Sequence, residues 1–310
     1  MVLNIVIPCY NEDAVLAETN RQLTELIDSW ISQGILDVCR IVYVDDGSKD
    51  RTWEIIESLQ KESPYAHGLK LAHNVGHQHA LWAGLMHSVG KCDAAVSIDA
   101  DLQHDIRAIE EMVAAYREGC EVVYGVRNDR VTDSAFKKKT ALGFYRLMQM
   151  MGVDVIPNHA DFRLLGSKAL AALAQYPERN LFLRGMVRTL GFKERIVHFE
   201  CHDRFAGESK YTLRKMFNFA IDGITSFSVQ PLRMIAVLGF IVLILAFFAG
   251  VYAIVAYFCG KTLQGWTSIL LSIWFLGGIQ LLCIGVLGEY IGKNYVEVKQ
   301  RPRYIIEKEV

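Results

Sequence analysis

The sequence predicts an α/β fold on a mostly parallel sheet, followed by a hairpin of two apolar helices. Three observations lead there. Up to about residue 125, short apolar runs alternate with amphipathic segments of helical length, the pattern of βαβ units. Three of those runs end in polar clusters: Tyr10-Asn11-Glu12, Asp45-Asp46-Gly47-Ser48 and Asp99-Ala100-Asp101. Two uncharged stretches, about 234–259 and 262–288, each exceed the roughly 20 residues needed to cross a bilayer.

Leu3 to Ile7 reads as the first strand. A helix follows from Ala14 to about Gln33, with Leu16, Leu23, Leu26, Ile27 and Trp30 on its apolar side. Val38 to Val44 and Leu69 to Ala72 read as strands, and Thr52 to Gln60 and about Gln78 to Val89 as helices. Ala94 to Ile98 is short, apolar and uninterrupted, as buried parallel strands are. A helix from about Ile106 to Arg117 and a strand from Glu121 to Val126 complete the regular part.

From 127 to 212 the pattern loosens around three landmarks: Lys137-Lys138-Lys139, Asp161-Phe162-Arg163-Leu164-Leu165 and the basic segment Arg204 to Tyr211. Leu213, Met216, Phe217, Ala220, Ile224 and Phe227 then recur at helical spacing. Directly before an apolar hairpin, that stripe predicts a helix lying in the membrane interface. The expected organisation is an α/β domain over 1–211, a juxtamembrane helix over 212–230, a transmembrane hairpin over 231–290 and a tail over 291–310. Arg214, Lys215 and Arg233 precede the hairpin, Lys293, Lys299, Arg301 and Arg303 follow it, and Lys261 lies between its helices. The excess of flanking cations predicts a multi-pass protein of the inner (plasma) membrane, with both termini and the α/β domain cytoplasmic.

The 310 residues carry a net charge of -1, so no nucleic-acid partner is expected. Mean hydropathy is +0.19, an excess that comes from the hairpin. Seven scattered cysteines without a CxxC pair point away from a zinc site or a disulfide framework and fit a reducing compartment. No basic region with a long apolar core precedes the first strand, so no signal peptide is expected.

Ligands of open α/β sheets sit outside the carboxyl ends of the strands, where the three polar clusters fall. Asp99 and Asp101, two residues apart, share a face of an extended chain. With Gln103 they offer hard oxygen donors suited to Mg²⁺ or Mn²⁺, ions that also bind substrate phosphates. The plainer alternative is a polar turn capping the next helix. Tyr10 offers a face for stacking on a base, and Glu12 and Asp46 offer acceptors for base or ribose. Asp46-Gly47-Ser48 also reads as an ordinary turn. His77 and His79, two apart on a helix, do not share a face, so no metal pair is expected there, and His104 is a candidate supporting group beside the acidic motif.

VIPCYNE, VDDGSKDRT and DADLQ resemble the signature of family 2 glycosyltransferases with the GT-A (Rossmann-like) fold. Asn74-Val75-Gly76 with Ala80 to Leu85 resembles a further family segment. Ala206-Gly207-Glu208-Ser209-Lys210-Tyr211 and the hairpin narrow the resemblance to polyprenyl-phosphate glycosyltransferases, most similar to bactoprenol glucosyltransferases and more distantly to dolichyl-phosphate mannose synthases. It implies inverting transfer of a sugar from a nucleotide-sugar to undecaprenyl or another polyprenyl phosphate at the cytoplasmic face. UDP-glucose is the first expectation for the donor, and mannose, N-acetylglucosamine or aminoarabinose donors are the alternatives. The product would be a lipid-linked sugar for cell-envelope glycan modification.

Carried over by that resemblance, Pro8, Tyr10, Glu12, Asp46 and Asp99 would hold the nucleotide-sugar, and Asp99, Asp101 and Gln103 the Mg²⁺ or Mn²⁺. Asp161 falls at the family's catalytic aspartate, with Asp101 and Arg163 beside it in the catalytic set. A phosphate monoester is largely a dianion at neutral pH and needs little deprotonation, so Asp161 is expected to act as a base or to orient the sugar and stabilise positive charge on it. An ion pair with Arg163 is its plain alternative. Arg127, Arg204, Ser209 and Lys210 are the candidates for gripping the acceptor phosphate, arginine being suited to bidentate pairing. Lys137 to Lys139 is a further candidate for that phosphate, though it fits better a solvated helix face near anionic lipid. Cys201 stands where many relatives carry another arginine, for which Arg195 or His202 is the possible substitute. A processive polysaccharide synthase would carry a QxxRW segment, absent here, and intact DADLQ argues against an inactive membrane scaffold. Gly277, Gly278, Gly285 and Gly288 would let apolar helices approach closely, which fits a homo-oligomer.

Overall fold

The computed structural model describes residues 1–128, 150–152, 156, 159–200, 223–226, 228–259 and 265–310. Among them, β1 (Val2–Cys9), α1 (Leu16–Ser32), β2 (Val38–Asp45), α2 (Thr52–Glu62), β3 (Ala66–Leu71), α3 (His77–Ser88) and β4 (Ala94–Ser97) follow one another as expected. Then come α4 (Ala108–Arg117), β5 (Val122–Arg127), β6 (His159–Gly166), α5 (Ser167–Leu173), α6 (Leu183–Thr189) and β7 (Glu194–Phe199). The chain closes with α7 (Gln230–Phe258), α8 (Trp266–Lys299) and β8 (Ile306–Glu309).

The strands form one sheet in the order β7-β5-β6-β4-β1-β2-β3-β8. β1 pairs in parallel with β2 and β4, β2 with β3, and β5 with β7. Alternation along each strand supplies both faces of a three-layer core. Leu3, Ile5 and Ile7 of β1 pack with Leu23 and Ile27 of α1, Ile56 of α2 and Met112 of α4. Val6, Val42 and Val44 face the other way, onto Leu81 and Trp82 of α3, Leu170 of α5 and Met186 of α6. Gly84 lets α3 lie close against the sheet, since a Cβ there would come within 2.3 Å of Val6 Cγ1.

Three strands, β6, β7 and β8, were not legible as strands from the sequence, and β6 and β8 run antiparallel to their neighbours. β6 wedges between β4 and β5, pairing Ser97 with Arg163 and Tyr124 with Arg163 on its two sides. Central and covered on both faces, it nevertheless carries His159, Asp161 and Arg163 among its apolar residues, and no hairpin turn announces its direction. β8 pairs with β3, so the segment expected as a tail returns to the sheet edge. α8 also runs eleven residues past Gly288, where its apolar stretch ends.

The windows Gln230–Ala256 and Ser272–Lys299 are long and apolar enough to cross a membrane. A Cβ at Gly277, Gly278, Gly285 or Gly288 would meet nothing within 4 Å, so this stripe of α8 is uncovered. Residues 223–226 are helical, and the rest of the expected interfacial helix up to 222 lies outside the described residues.

Candidate active site

β1, β2, β4 and β5 all end at one edge, and β6 begins there. At this edge the loops after β1 and β2 are stitched together. Asn11 N donates to Ser48 Oγ at 3.0 Å, Lys49 N to Asn11 Oδ1 at 2.8 Å and Glu12 N to Thr52 Oγ1 at 2.9 Å. Asn11 takes a left-handed backbone, φ 54°, which asparagine tolerates better than most residues. Gly47 has φ 64°, and a Cβ on it would lie 2.6 Å from Asn74 N. Asp46, 2% exposed, accepts from Val75 N at 2.7 Å and Gly76 N at 2.9 Å. Burial raises its pKa, and these amides offset part of the rise. Tyr10 projects at the rim with 38% of its surface exposed.

The loop after β4 carries the acidic motif. Thr19 of α1 anchors it by donating to Ala100 O at 2.8 Å, and Gln103 N donates to Asp101 Oδ1 at 3.2 Å. Leu102 between them is left-handed, φ 57°, an uncommon conformation for leucine of the kind that clusters at ligand sites. Buried His104 stacks on Phe162 at 5.1 Å, and its Nε2 lies 3.6 Å from Asp99 Oδ2. Burial lowers its pKa, which favours the neutral ring. Among the described residues no three His, Cys, Asp or Glu side chains form a metal cage. Two carboxylates and an amide on a tight loop still fit Mg²⁺ or Mn²⁺, because such ions take one or two carboxylates and complete their shell with water and substrate phosphate.

Asp161 faces this loop because of the β4–β6 register. Ser97 pairs with Arg163 and donates from Oγ to Asp161 O at 2.6 Å, so two residues further along Asp161 comes level with Asp99. Three cationic groups converge on its carboxylate. Arg163 Nη2 donates to Oδ1, Arg184 donates from Nη2 to Oδ2 at 3.1 Å and from Nε to Oδ1 at 3.3 Å, and His77 Nε2 lies 3.6 Å from Oδ2. Burial pushes the Asp161 pKa up, but Arg184, His77 and Arg163 outweigh it and hold the carboxyl well below the usual range. His77 also lies 3.7 Å from Asp99 Oδ1. Desolvation pulls the ring's pKa down, yet Asp161 and Asp99 prevail and push it up to about 8.

The comparisons with known proteins agree with this layout. Residues 4–173 match the family model for glycosyl transferase family 2, more than half of the chain. The chain belongs to glycosyl transferase family 2. A prophage bactoprenol glucosyl transferase homolog of Escherichia coli (strain K12) is 39% identical, the alignment covering 99% of each chain. The bactoprenol glucosyl transferase of Shigella phage SfII is also 39% identical, over 99% of this chain and 98% of its own. An uncharacterized glycosyltransferase of Bacillus subtilis (strain 168), YkoT, is 52% identical over 99% of this chain and 91% of its own. Among solved structures, a mannosyltransferase of Pyrobaculum calidifontis in complex with GDP-Man and Mn²⁺ superposes with a TM-score of 0.51 at 16% identity, covering 74% of this chain and 64% of that one. That likeness concerns the fold, which is the GT-A α/β fold.

In this glycosyltransferase the edge brings together Tyr10, Glu12, Asp46, Asp99, Asp101, Gln103, Asp161 and Arg127, the last residue of β5. Several of these have tasks that spacing does not reveal. Asp46 holds the β3–α3 loop with both oxygens, and Pro8 is buried within β1. Arg163 is 1% exposed and turned onto Asp161, placed to hold that carboxylate rather than to meet a ligand. The ion pair expected as the plain alternative for Asp161 therefore exists, as one of three. Arg127 keeps a buried Nε without a hydrogen-bond partner among the described residues. Arg195 pairs with Glu118 at 2.6 Å, at the opposite edge of the sheet, and so does not substitute at the acceptor side. Arg204, Ser209 and Lys210, with Lys137 to Lys139, Cys201 and His202, lie outside the described residues.

His77 and Arg184 were not singled out from the sequence as site residues. His77 opens α3 and points at the site, whereas His79 turns to Arg179 O at 3.2 Å, so the pair indeed splits between faces. Arg184, on α6, falls where the sequence pattern loosens and has no motif around it. The only sequence signal was the surplus of cations between 179 and 195.

Proposed function

We propose that the enzyme transfers a sugar, glucose first, from a nucleotide-sugar to a polyprenyl phosphate of the bactoprenol type, at the cytoplasmic face of a membrane that α7 and α8 cross. The observation that carries this reading is the Asp161 carboxylate held level with Asp99 on the DADLQ loop, with two membrane-length helices on the same chain. The full-length similarity to bactoprenol glucosyl transferases supports a lipid carrier as acceptor.

Tyr10 stacks on the base, while the paired loops after β1 and β2 shape the nucleoside pocket. Asp99, Asp101 and Gln103 would hold Mg²⁺ or Mn²⁺, which when bound stabilises charge on the departing diphosphate. Asp161 acts as a fixed negative charge beside the anomeric carbon. Held well below the ordinary carboxylate range, it is a poor base, and an acceptor phosphate that is already a dianion needs none. Arg163 and Arg184 keep it ionised and aimed. Arg127, with Arg204, Ser209 and Lys210, receives the acceptor phosphate, and in-line attack on the face opposite the diphosphate inverts the anomeric centre.

The test is a donor screen with the full chain in bilayer nanodiscs, undecaprenyl phosphate and Mg²⁺ or Mn²⁺, scored by mass spectrometry of the lipid. UDP-glucose is expected to give a hexosyl-phospholipid and stoichiometric UDP. A lipid product from none of UDP-glucose, GDP-mannose, UDP-N-acetylglucosamine or an aminoarabinose donor would overturn the reading.

A further inference from the structure

The second apolar helix does not stop at the membrane end of its apolar run. It continues to Lys299, and its last turns carry Glu297. Glu297 Oε1 accepts from Arg179 N at 2.8 Å and Asn180 N at 2.7 Å, and Oε2 accepts from Arg179 N at 2.8 Å. A carboxylate cradling two consecutive amides is a charge-assisted, directional contact. Arg179 Nη2 reaches back to Gln300 O at 3.4 Å, and Arg303 donates to Tyr176 O while lying 4.2 Å above the Trp82 ring. The C-terminal end of α8 and the residues after it thus grip the loop between α5 and α6.

That loop leads straight to the catalytic carboxylate. Leu183, the first residue of α6, donates its N–H to Gln78 Oε1 at 3.1 Å, and the next residue is Arg184, which binds Asp161. Gln78 and His79, the two α3 side chains that touch this stretch, directly follow His77, the third cationic group on Asp161. Two of the three groups that aim Asp161 therefore spring from the helix starts that meet at the gripped loop.

We propose that Glu297 is a positioning residue for glycosyl transfer, coupling the membrane-spanning α8 to Asp161 through residues 179–184. It rests on the glycosyl-transfer reading above for the step that it tunes. A mere anchor for the C-terminal segment would stabilise the protein without changing the chemical step. A positioning residue changes kcat more than donor KM, depends on the oxygen that takes both amides, and acts through Arg184.

The experiment uses the full chain in nanodiscs with undecaprenyl phosphate and the donor that supports transfer, alongside hydrogen exchange in the same particles. Glu297→Ala is expected to speed exchange across 179–189 and lower kcat about tenfold, with donor KM within about twofold, because small displacements at a reacting centre are costly. Glu297→Gln retains an oxygen at the Oε1 position and is expected to keep kcat within about threefold of wild type. Arg184→Lys with Glu297→Ala is expected to be no slower than Arg184→Lys alone. Glu307→Ala, which removes an exposed pair with Lys70, controls for loss of C-terminal contacts and leaves kcat unchanged. A wild-type kcat in Glu297→Ala, a Gln variant as slow as the Ala variant, or additive losses in the double variant would each overturn the proposal. If the wild type glycosylates no lipid, the acceptor reading fails separately. Exchange then decides the coupling: spread into 183–189 supports it, and confinement to 179–180 overturns it.

Discussion

Replacing Asp161 by asparagine removes one negative charge from beneath three cationic groups while keeping the shape of the side chain. Arg163 is the group left most exposed to the consequence. It is 1% exposed, its Nη2 donates to Asp161, and its Nε and Nη1 have no hydrogen-bond partner among the described residues. Asparagine would leave that guanidinium buried without an anion, a loss of about 3–5 kcal/mol for a broken buried pair. For a domain of this size each kcal/mol is worth about 2–4 °C, so the melting temperature should fall by about 10 °C. Because the Asp161 pKa is depressed in the folded state, its contribution is present above the ordinary carboxylate value and is lost as pH falls through the depressed one. The carboxylate's own part of the deficit therefore shrinks only in strong acid, while the part carried through protonated His77 fades as pH rises through about 8. Differential scanning fluorimetry of the nanodisc-embedded chain measures it. Adding Arg163→Met to the asparagine variant removes the stranded charge and should recover part of the loss. An Asp161→Asn variant that melts within about 2 °C of wild type, or a double variant less stable than the single one, refutes the three-cation account.

Four further expectations follow from the same edge. Asp101→Ala should abolish transfer and metal-dependent donor binding in calorimetry while the metal-free protein, losing the Gln103 N contact, melts only about 2–4 °C lower, and turnover that survives EDTA would remove the metal from the scheme. Gly47→Ala, forced into a left-handed backbone against Asn74 N, should cost about 2 kcal/mol or more and raise donor KM, read by denaturant unfolding and initial rates. Tyr10→Ala should raise donor KM about tenfold through lost stacking, with kcat nearly constant. In the metal-free protein the His77 ring should titrate near pH 8 by NMR, so its stabilising contribution is complete below about pH 6.5 and fades as pH rises through about 8. Mg²⁺ with UDP should lower that pKa by neutralising Asp99, and an unchanged titration would place the ion elsewhere.

Where pattern and chemistry coincided, the sequence was a sufficient guide. β1, β2 and β4 were legible because covered parallel strands are short apolar runs, and the polar residues that stop them are the ones the edge displays. Asp99, Asp101 and Asp161 were found by motif, and all three meet there. What escaped notice depended on pairings between distant segments. β6 mixes apolar residues with His159, Asp161 and Arg163, and nothing local reports that it runs the other way. His77 neighbours His79 in the sequence, but its partners in the fold are Asp99 and Asp161, 22 and 84 residues further on. Arg184 and Glu297 matter through a backbone loop whose grip leaves no mark on residue spacing. Asp46 and Arg163 fall at the expected place, and both are buried, Asp46 bonded to the β3–α3 loop and Arg163 to Asp161.

The insertion of β6 between β4 and β5 also sets when the enzyme can become active. A ribosome that has delivered residues 1–128 has already released the ends of β1 to β5, the loops proposed to face the nucleotide and the DADLQ turn. Asp161 then has yet to be made, and the slot beside β4 is vacant. The proposed centre forms only when His159 to Gly166 enters that slot in the one register that brings Asp161 level with Asp99, since a slip of one residue would turn the carboxylate to the opposite face. The chain thus emerges with the loops after β1 and β2 early and the Asp161 cluster late, and a polypeptide interrupted before residue 159 carries those loops without Asp161.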